Sequence, residues 1–184
     1  MQGLQRDAVI LALVERLNAV ESWCGETHVQ KSAYFLQELL RVPLALDFIL
    51  YKHGPYSFDL SDELGAMRAN AFLALELKLY PYGPSIVPGS ADAPVKRLYA
   101  KTIARYSLEI AFVAERLGRM TVAELERVAT ALYVTRDPNV VSGIEARAQR
   151  IHELKPHVTL EAAREAVKLV DCFIAEAREL QAAG

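Results

Sequence analysis

This chain lacks the residues that most chemistries need. No metal-binding spacing, nucleotide-binding loop or nucleophile motif occurs in it. Cysteine is scarce. Cys24 and Cys172 stand far apart and form no redox or metal pair, so two reduced, buried thiols are expected. A basic excess is also missing. The 184 residues carry a net charge of -2 and the pI is about 6.1, whereas a dedicated nucleic-acid binder is usually basic. No apolar run reaches the roughly 18 residues of a membrane span. Gln2 to Asp7 leads into an amphipathic helix and not into a leader sequence. A cytoplasmic protein with no membrane partner is therefore expected. No internal repeat or low-complexity stretch is seen.

Material for a core is abundant, since 52% of residues are hydrophobic. Apolar spacing predicts helices over 4 to 19 and 27 to 41, the second capped by Thr27. A strand is predicted over 47 to 52 and a helix over 58 to 71. Leu73 to Tyr80 alternates apolar and polar, which is the strand period. A turn at Pro81 to Pro84 and a return strand at 85 to 88 complete a hairpin. Beyond a linker at 89 to 94 the chain reads as helical: 94 to 117, 121 to 134, 139 to 153 and 159 onward. Thr121 and Glu124 form a capping box. The expected fold is mainly α (α+β). Residues 1–90 make a winged-helix-like half with a small β-hairpin, and residues 91–184 make a C-terminal helical half. The two halves are expected to pack as one compact unit.

The most distinctive stretch is FILYKHGPYSFDLSDEL, residues 48 to 64. A β-leaning run breaks at His53-Gly54-Pro55, and a helix restarts with Ser57 as its cap. Such a corner sits on the surface, where function concentrates. The helix after it would occupy the recognition position of a winged helix. Its Asp59, Asp62 and Glu63 outweigh Arg68, so it suits a DNA groove poorly. Acids in a first turn suit the helix dipole instead. The same three acids are also the only candidates for a metal-dependent nuclease, and no companion Lys or His can be placed beside them.

Arg97, Lys101 and Arg105 lie four apart on one expected helix. A solvated face is the default reading, with nucleic-acid contact as the alternative. His28 follows Cys24 by four residues, but Gly25 breaks the helix between them. His53 lies in the turn without a nucleophile, and His152 and His157 flank a helix end. Lys31 and Tyr34 share a helix face, either as core or as a polar, aromatic surface behind Tyr56. Tyr51, Tyr56, Phe58, Tyr80 and Tyr82 crowd the strand, corner and hairpin tip, where exposed Tyr makes a common interface anchor.

KSAYFLQELL at 31 to 40, followed by the 48 to 64 stretch, resembles the YwgA-like proteins, distant relatives of the SocA-like antitoxins of the Panacea domain group. The matching positions are Lys31, Tyr34, Phe35, Gln37, Tyr51, Gly54, Pro55, Tyr56 and Ser57. ELERVATALYV (124 to 134) and ELKPHVTLEAAREA (153 to 166) extend the likeness toward the C-terminus. The resemblance implies a non-enzymatic protein-interaction module, antitoxin-like or a bacterial defence partner. Its protein partner would be a toxin or effector, met through Lys31, Tyr34, Gly54, Pro55, Tyr56 and Ser57. A homodimer is compatible with it. No catalytic residue, cofactor or metal is assigned. The alternatives are a winged-helix transcription regulator and, lowest, an uncharacterised metal-dependent nuclease-like enzyme.

Overall fold

A computed structural model describes residues 1, 3–78 and 83–183. The chain is mainly helical. In order it contains α1 (Leu4–Ala19), α2 (Glu26–Glu38), β1 (Ile49–Tyr51), β2 (Gly54–Tyr56), α3 (Phe58–Ala69), β3 (Leu73–Glu76), β4 (Ser85–Pro88), α4 (Asp92–Leu98), α5 (Ala100–Arg105), α6 (Ser107–Leu117), α7 (Val122–Arg136), α8 (Ile144–Leu154) and α9 (Leu160–Ala183). Its contacts divide into two units. Unit 1 is residues 1–48 with 57–120, and unit 2 is residues 49–56 with 121–184. Helices α4 to α6, placed by sequence with the C-terminal half, thus belong to unit 1.

In unit 1, α1 buries Ala8 through Val14 and Leu17. Helix α2 is buried on every side from His28 to Phe35, and Leu36 with it. A helix enclosed all round is a core helix, so its polar residues must find partners inside the protein. It starts at Glu26 after Gly25, with no side-chain cap, so Thr27 does not cap it. Ser57 does cap α3, its hydroxyl accepting from Leu60 N at 3.3 Å. Such a cap is worth about 1 kcal/mol. Strands β3 and β4 pair antiparallel, Leu73 opposite Pro88 and Glu76 opposite Ser85. Pro88 ends its strand, where a missing N–H costs least. The turn expected at Pro81 to Pro84 falls largely outside the described residues, as do Tyr80 and Tyr82.

The single helix expected over 94 to 117 is three short ones. Tyr99 and Tyr106 interrupt it, with φ near -110° and -108°. The helical hydrogen bonds persist across both breaks: Ile103 N donates to Tyr99 O at 3.0 Å, and Ile110 N to Tyr106 O at 3.0 Å. The rod is bent rather than broken. Aromatic residues lose rotamer freedom inside a helix, and the two breaks fall on them.

In unit 2, α9 packs on α7 and α8 through Ala163, Ala166, Val167, Val170, Phe173 and Ala177. Arg147 of α8 grips Asp171 of α9 with two bonds of 2.7 Å and also reaches Thr135 of α7 at 3.2 Å. Helix α8 starts at Ile144, five residues later than the spacing predicts. Asp137 Oδ1 accepts from Asn139 N at 2.9 Å, a local turn that competes with helix. The Thr121–Glu124 capping box forms at the start of α7. Cys24 is buried as expected, and burial pushes its thiol up to about 12. Cys172 is exposed, contrary to expectation, because it lies off the α9 stripe.

Arg6 carries a polar cluster in unit 1. Its guanidinium meets Glu63 at 2.6 Å and donates to Leu44 O at 3.1 Å and Ala45 O at 3.3 Å. Ala45 has a φ of 55°, and the Arg6 bond helps hold this strained backbone. Beside it, burial together with the Glu63 carboxylate pushes Asp7 up to about 7. The native state therefore keeps a proton on Asp7 that the unfolded chain releases near pH 4, so stability falls as pH rises from about 4 to 7. Solvent screens this half-exposed group, which limits the effect to about 1–2 kcal/mol. Asp7→Asn should flatten that slope in urea melts between pH 4.5 and 7.5, whereas an unchanged slope would place the pH dependence elsewhere.

Candidate functional site

Two glutamines of α2 set the backbone around the distinctive stretch. Gln30 Nε2 donates to Ser57 O at 2.9 Å, and Ser57 N donates back to Gln30 Oε1 at 3.0 Å. Gln37 does the same to Leu46, with both bonds at 2.9 Å. Each amide thus imitates a neighbouring strand. The two residues are seven apart, which puts them on one helix face. Between the two clamped points lies the stretch that belongs to unit 2.

That stretch is a hairpin, not a strand turning directly into a helix. Ile49 pairs with Tyr56, Leu50 with Pro55 and Tyr51 with Gly54. Lys52 and His53 form the turn, and Gly54 supplies the left-handed residue it needs, with φ 84°. Strand alternation puts Ile49, Tyr51 and Tyr56 on one face and Leu50 and Pro55 on the other. Pro55 is buried and β2 packs on α7. The opposite face is open: Ile49 is 49% exposed and Tyr51 is 45% exposed. The Tyr51 and Tyr56 rings lie 5.9 Å apart, tilted by 42°.

A buried ion pair anchors the hairpin within unit 2. Lys155, enclosed at the end of α8, donates to Tyr51 O at 2.6 Å and to Lys52 O. The same ammonium lies 3.6 Å from the buried Glu126 carboxylate of α7. Two exposed imidazoles flank that carboxylate, His53 Nδ1 at 3.3 Å and His157 Nε2 at 3.2 Å. A carboxylate behind an imidazole is the arrangement that orients a general base. Here Lys155 already compensates the carboxylate, and its fixed positive charge disfavours a bound cation. Among the described residues no three His, Cys, Asp or Glu side chains group as a metal site.

The other residues singled out by sequence fall as follows. Lys31 is 2% exposed and Tyr34 is 3% exposed, so neither forms the surface expected behind Tyr56. Both lie on the fully enclosed α2, and the Tyr34 ring meets Phe48 edge-on at 5.1 Å. Gly54, Pro55 and Ser57 are buried backbone-setting residues, leaving Tyr56 as the half-exposed member of the corner. Asp59 and Asp62 are exposed, while Glu63 turns to Arg6, so the three acids do not converge. Arg97, Lys101 and Arg105 are exposed, although on two short helices rather than one. His28 is a core residue: Nε2 donates to Met120 O at 2.9 Å, and burial lowers its pKa. His152 Nδ1 donates to Val158 O at 2.7 Å. Sequence reasoning missed Gln30, Glu126 and Lys155. The first of these left a signal, a polar residue on the apolar face of α2.

Comparison with known proteins gives no match: no family model fits the chain, and no curated protein matches it.

Removing the Lys155 ammonium strands two carbonyls and the Glu126 carboxylate. Lys155→Met should therefore lower stability by about 3 kcal/mol in urea unfolding. Adding Glu126→Leu should recover part of that loss, because no unpaired charge is left behind. A loss under 0.5 kcal/mol would show that the pair does not anchor the hairpin.

Proposed function

We propose that this chain is a non-enzymatic interaction module that binds a partner protein through the outer face of hairpin β1–β2. The observation that carries this reading is the row Ile49, Tyr51 and Tyr56 on a hairpin whose backbone is fixed from behind. A rigid face loses little entropy when a partner docks. Tyrosine offers a large apolar ring with a hydroxyl for hydrogen bonding, which makes it a frequent hot spot. The likeness to YwgA-like and Panacea antitoxin proteins includes Tyr51 and Tyr56 of this row and supports a toxin or defence effector as partner, met in the cytoplasm.

We also infer a winged-helix-like half over residues 1–90, in which β3–β4 would be the wing and α3 would take the recognition position, although two strands lie between α2 and α3 where one was expected. Strand β1 pairs with β2 rather than joining β3–β4. Helix α3 exposes Asp59 and Asp62. Both features weigh against the alternative of a sequence-specific regulator that inserts α3 into DNA.

The test is capture of the tagged protein at native expression, with mass spectrometry of what is retained. Tyr51→Ala and Ile49→Ala should stay folded, since both side chains are half exposed. Tyr51→Ala should weaken the recovered partner about thirtyfold, the loss of one aromatic hot spot. Equal recovery by wild type and both variants, at unchanged melting temperature, would refute the reading.

A further inference from the structure

A second surface lies on unit 1. From Arg97 to Leu108 the sequence holds three cations and no acid. Elsewhere in the same unit Arg6, Arg16, Lys78, Lys96 and Arg119 each meet a carboxylate within 3.3 Å, whereas the exposed Arg41 and Arg68, isolated in sequence from other cations, meet none among the described residues. Among the described residues no carboxylate lies within ion-pair distance of Arg97, Lys101 or Arg105. The rod turns one side to the unit, with Tyr99, Thr102, Ile103 and Tyr106 half buried. Arg97, Ala100, Lys101, Ala104 and Arg105 are exposed on the other. Because helical bonding persists across the bends, successive cations rise about 6 Å apart along the rod. Alanines between them leave room for a chain to lie close. Arg105 sits over the Tyr106 ring, 5.5 Å from its centroid, a flat pair on which a base can stack.

We propose that this strip is a contact for single-stranded nucleic acid, gripping consecutive phosphates without reading their sequence. Evenly spaced cations match a repeating anion, and the guanidinium–aromatic pair suits an unstacked base. A duplex would offer no base face to that pair. Leu98 and Leu108, 69% and 59% exposed, flank the strip and add apolar surface for bases or sugars. An anionic membrane could also use cations beside leucines. The regular spacing and the Arg105–Tyr106 pair favour the nucleic acid. This inference stands independently of the hairpin reading.

The test uses the full chain and a labelled 20-nucleotide oligo(dT), read by fluorescence anisotropy from 25 to 200 mM NaCl. Three phosphate contacts to a single strand predict a slope of about -2 for log K against log salt. Arg97→Ala, Lys101→Ala and Arg105→Ala should each make the slope shallower by about 0.7. The triple variant should lose binding while keeping its melting temperature, since all three side chains are exposed. Tyr51→Ala should bind the oligonucleotide as wild type does. Absence of oligonucleotide binding, retention of it by the triple variant, or tighter binding of a duplex of equal length would each overturn the proposal. So would cation-dependent binding to phosphatidylserine vesicles without binding to the oligonucleotide, which would assign the strip to a membrane.

Discussion

Two side-chain amides on one buried helix fix the course of the chain through its most distinctive stretch. Helix α2 is enclosed on all sides from His28 to Leu36, so Gln30 cannot satisfy its amide with water, while Gln37 lies half-buried at the end of the helix. Each takes both hydrogen bonds of one backbone residue, Ser57 and Leu46 respectively. These residues bracket the hairpin. Where it begins and where α3 starts are thus set by the same helix. The Ser57 cap adds to this, because its backbone is held by Gln30 while its hydroxyl holds Leu60 N.

Within unit 2 the hairpin meets a different kind of constraint. Three main-chain residues of β2 and the turn cannot bury much apolar surface. Its fixity comes from the Lys155 ammonium on two carbonyls and from Glu126 behind that ammonium. A buried pair of this kind contributes little net stability compared with an apolar substitute, so its value lies in specifying one conformation. With the hairpin fixed from one side, its other side carries aromatic surface at low entropic cost. On unit 1, three exposed cations of the bent rod meet no carboxylate among the described residues.

Local signals were the legible part of the sequence. The Thr121–Glu124 box, the Ser57 cap, the β3–β4 hairpin and the α9 stripe depend on residues a few positions apart, and all four formed, although β3 stops at Glu76 and leaves Leu75 exposed instead of following the alternation to Tyr80. The misses around the hairpin depended on distant partners or on a strand that propensity hides. Strand β2 is only Gly54-Pro55-Tyr56, and a Pro with no N–H hides a strand from propensity reasoning. Lys31 reads as a surface lysine until α2 is seen to be enclosed. Glu126 reads as one charge of a helix surface in ELER, and Lys155 as a helix end before Pro156. Only the fold brings them together. The bends at Tyr99 and Tyr106 leave the apolar period intact, so periodicity reported one helix where there are three.

The most direct test of this account is amide hydrogen exchange at Leu46 and Ser57. Neither amide has a regular ladder or helical partner, so an ordinary connecting segment would exchange both rapidly. The clamps predict that both exchange as slowly as the α2 core amides, opening only with global unfolding. Rapid exchange at either residue in the folded protein would contradict the claim that Gln30 and Gln37 fix the hairpin stems.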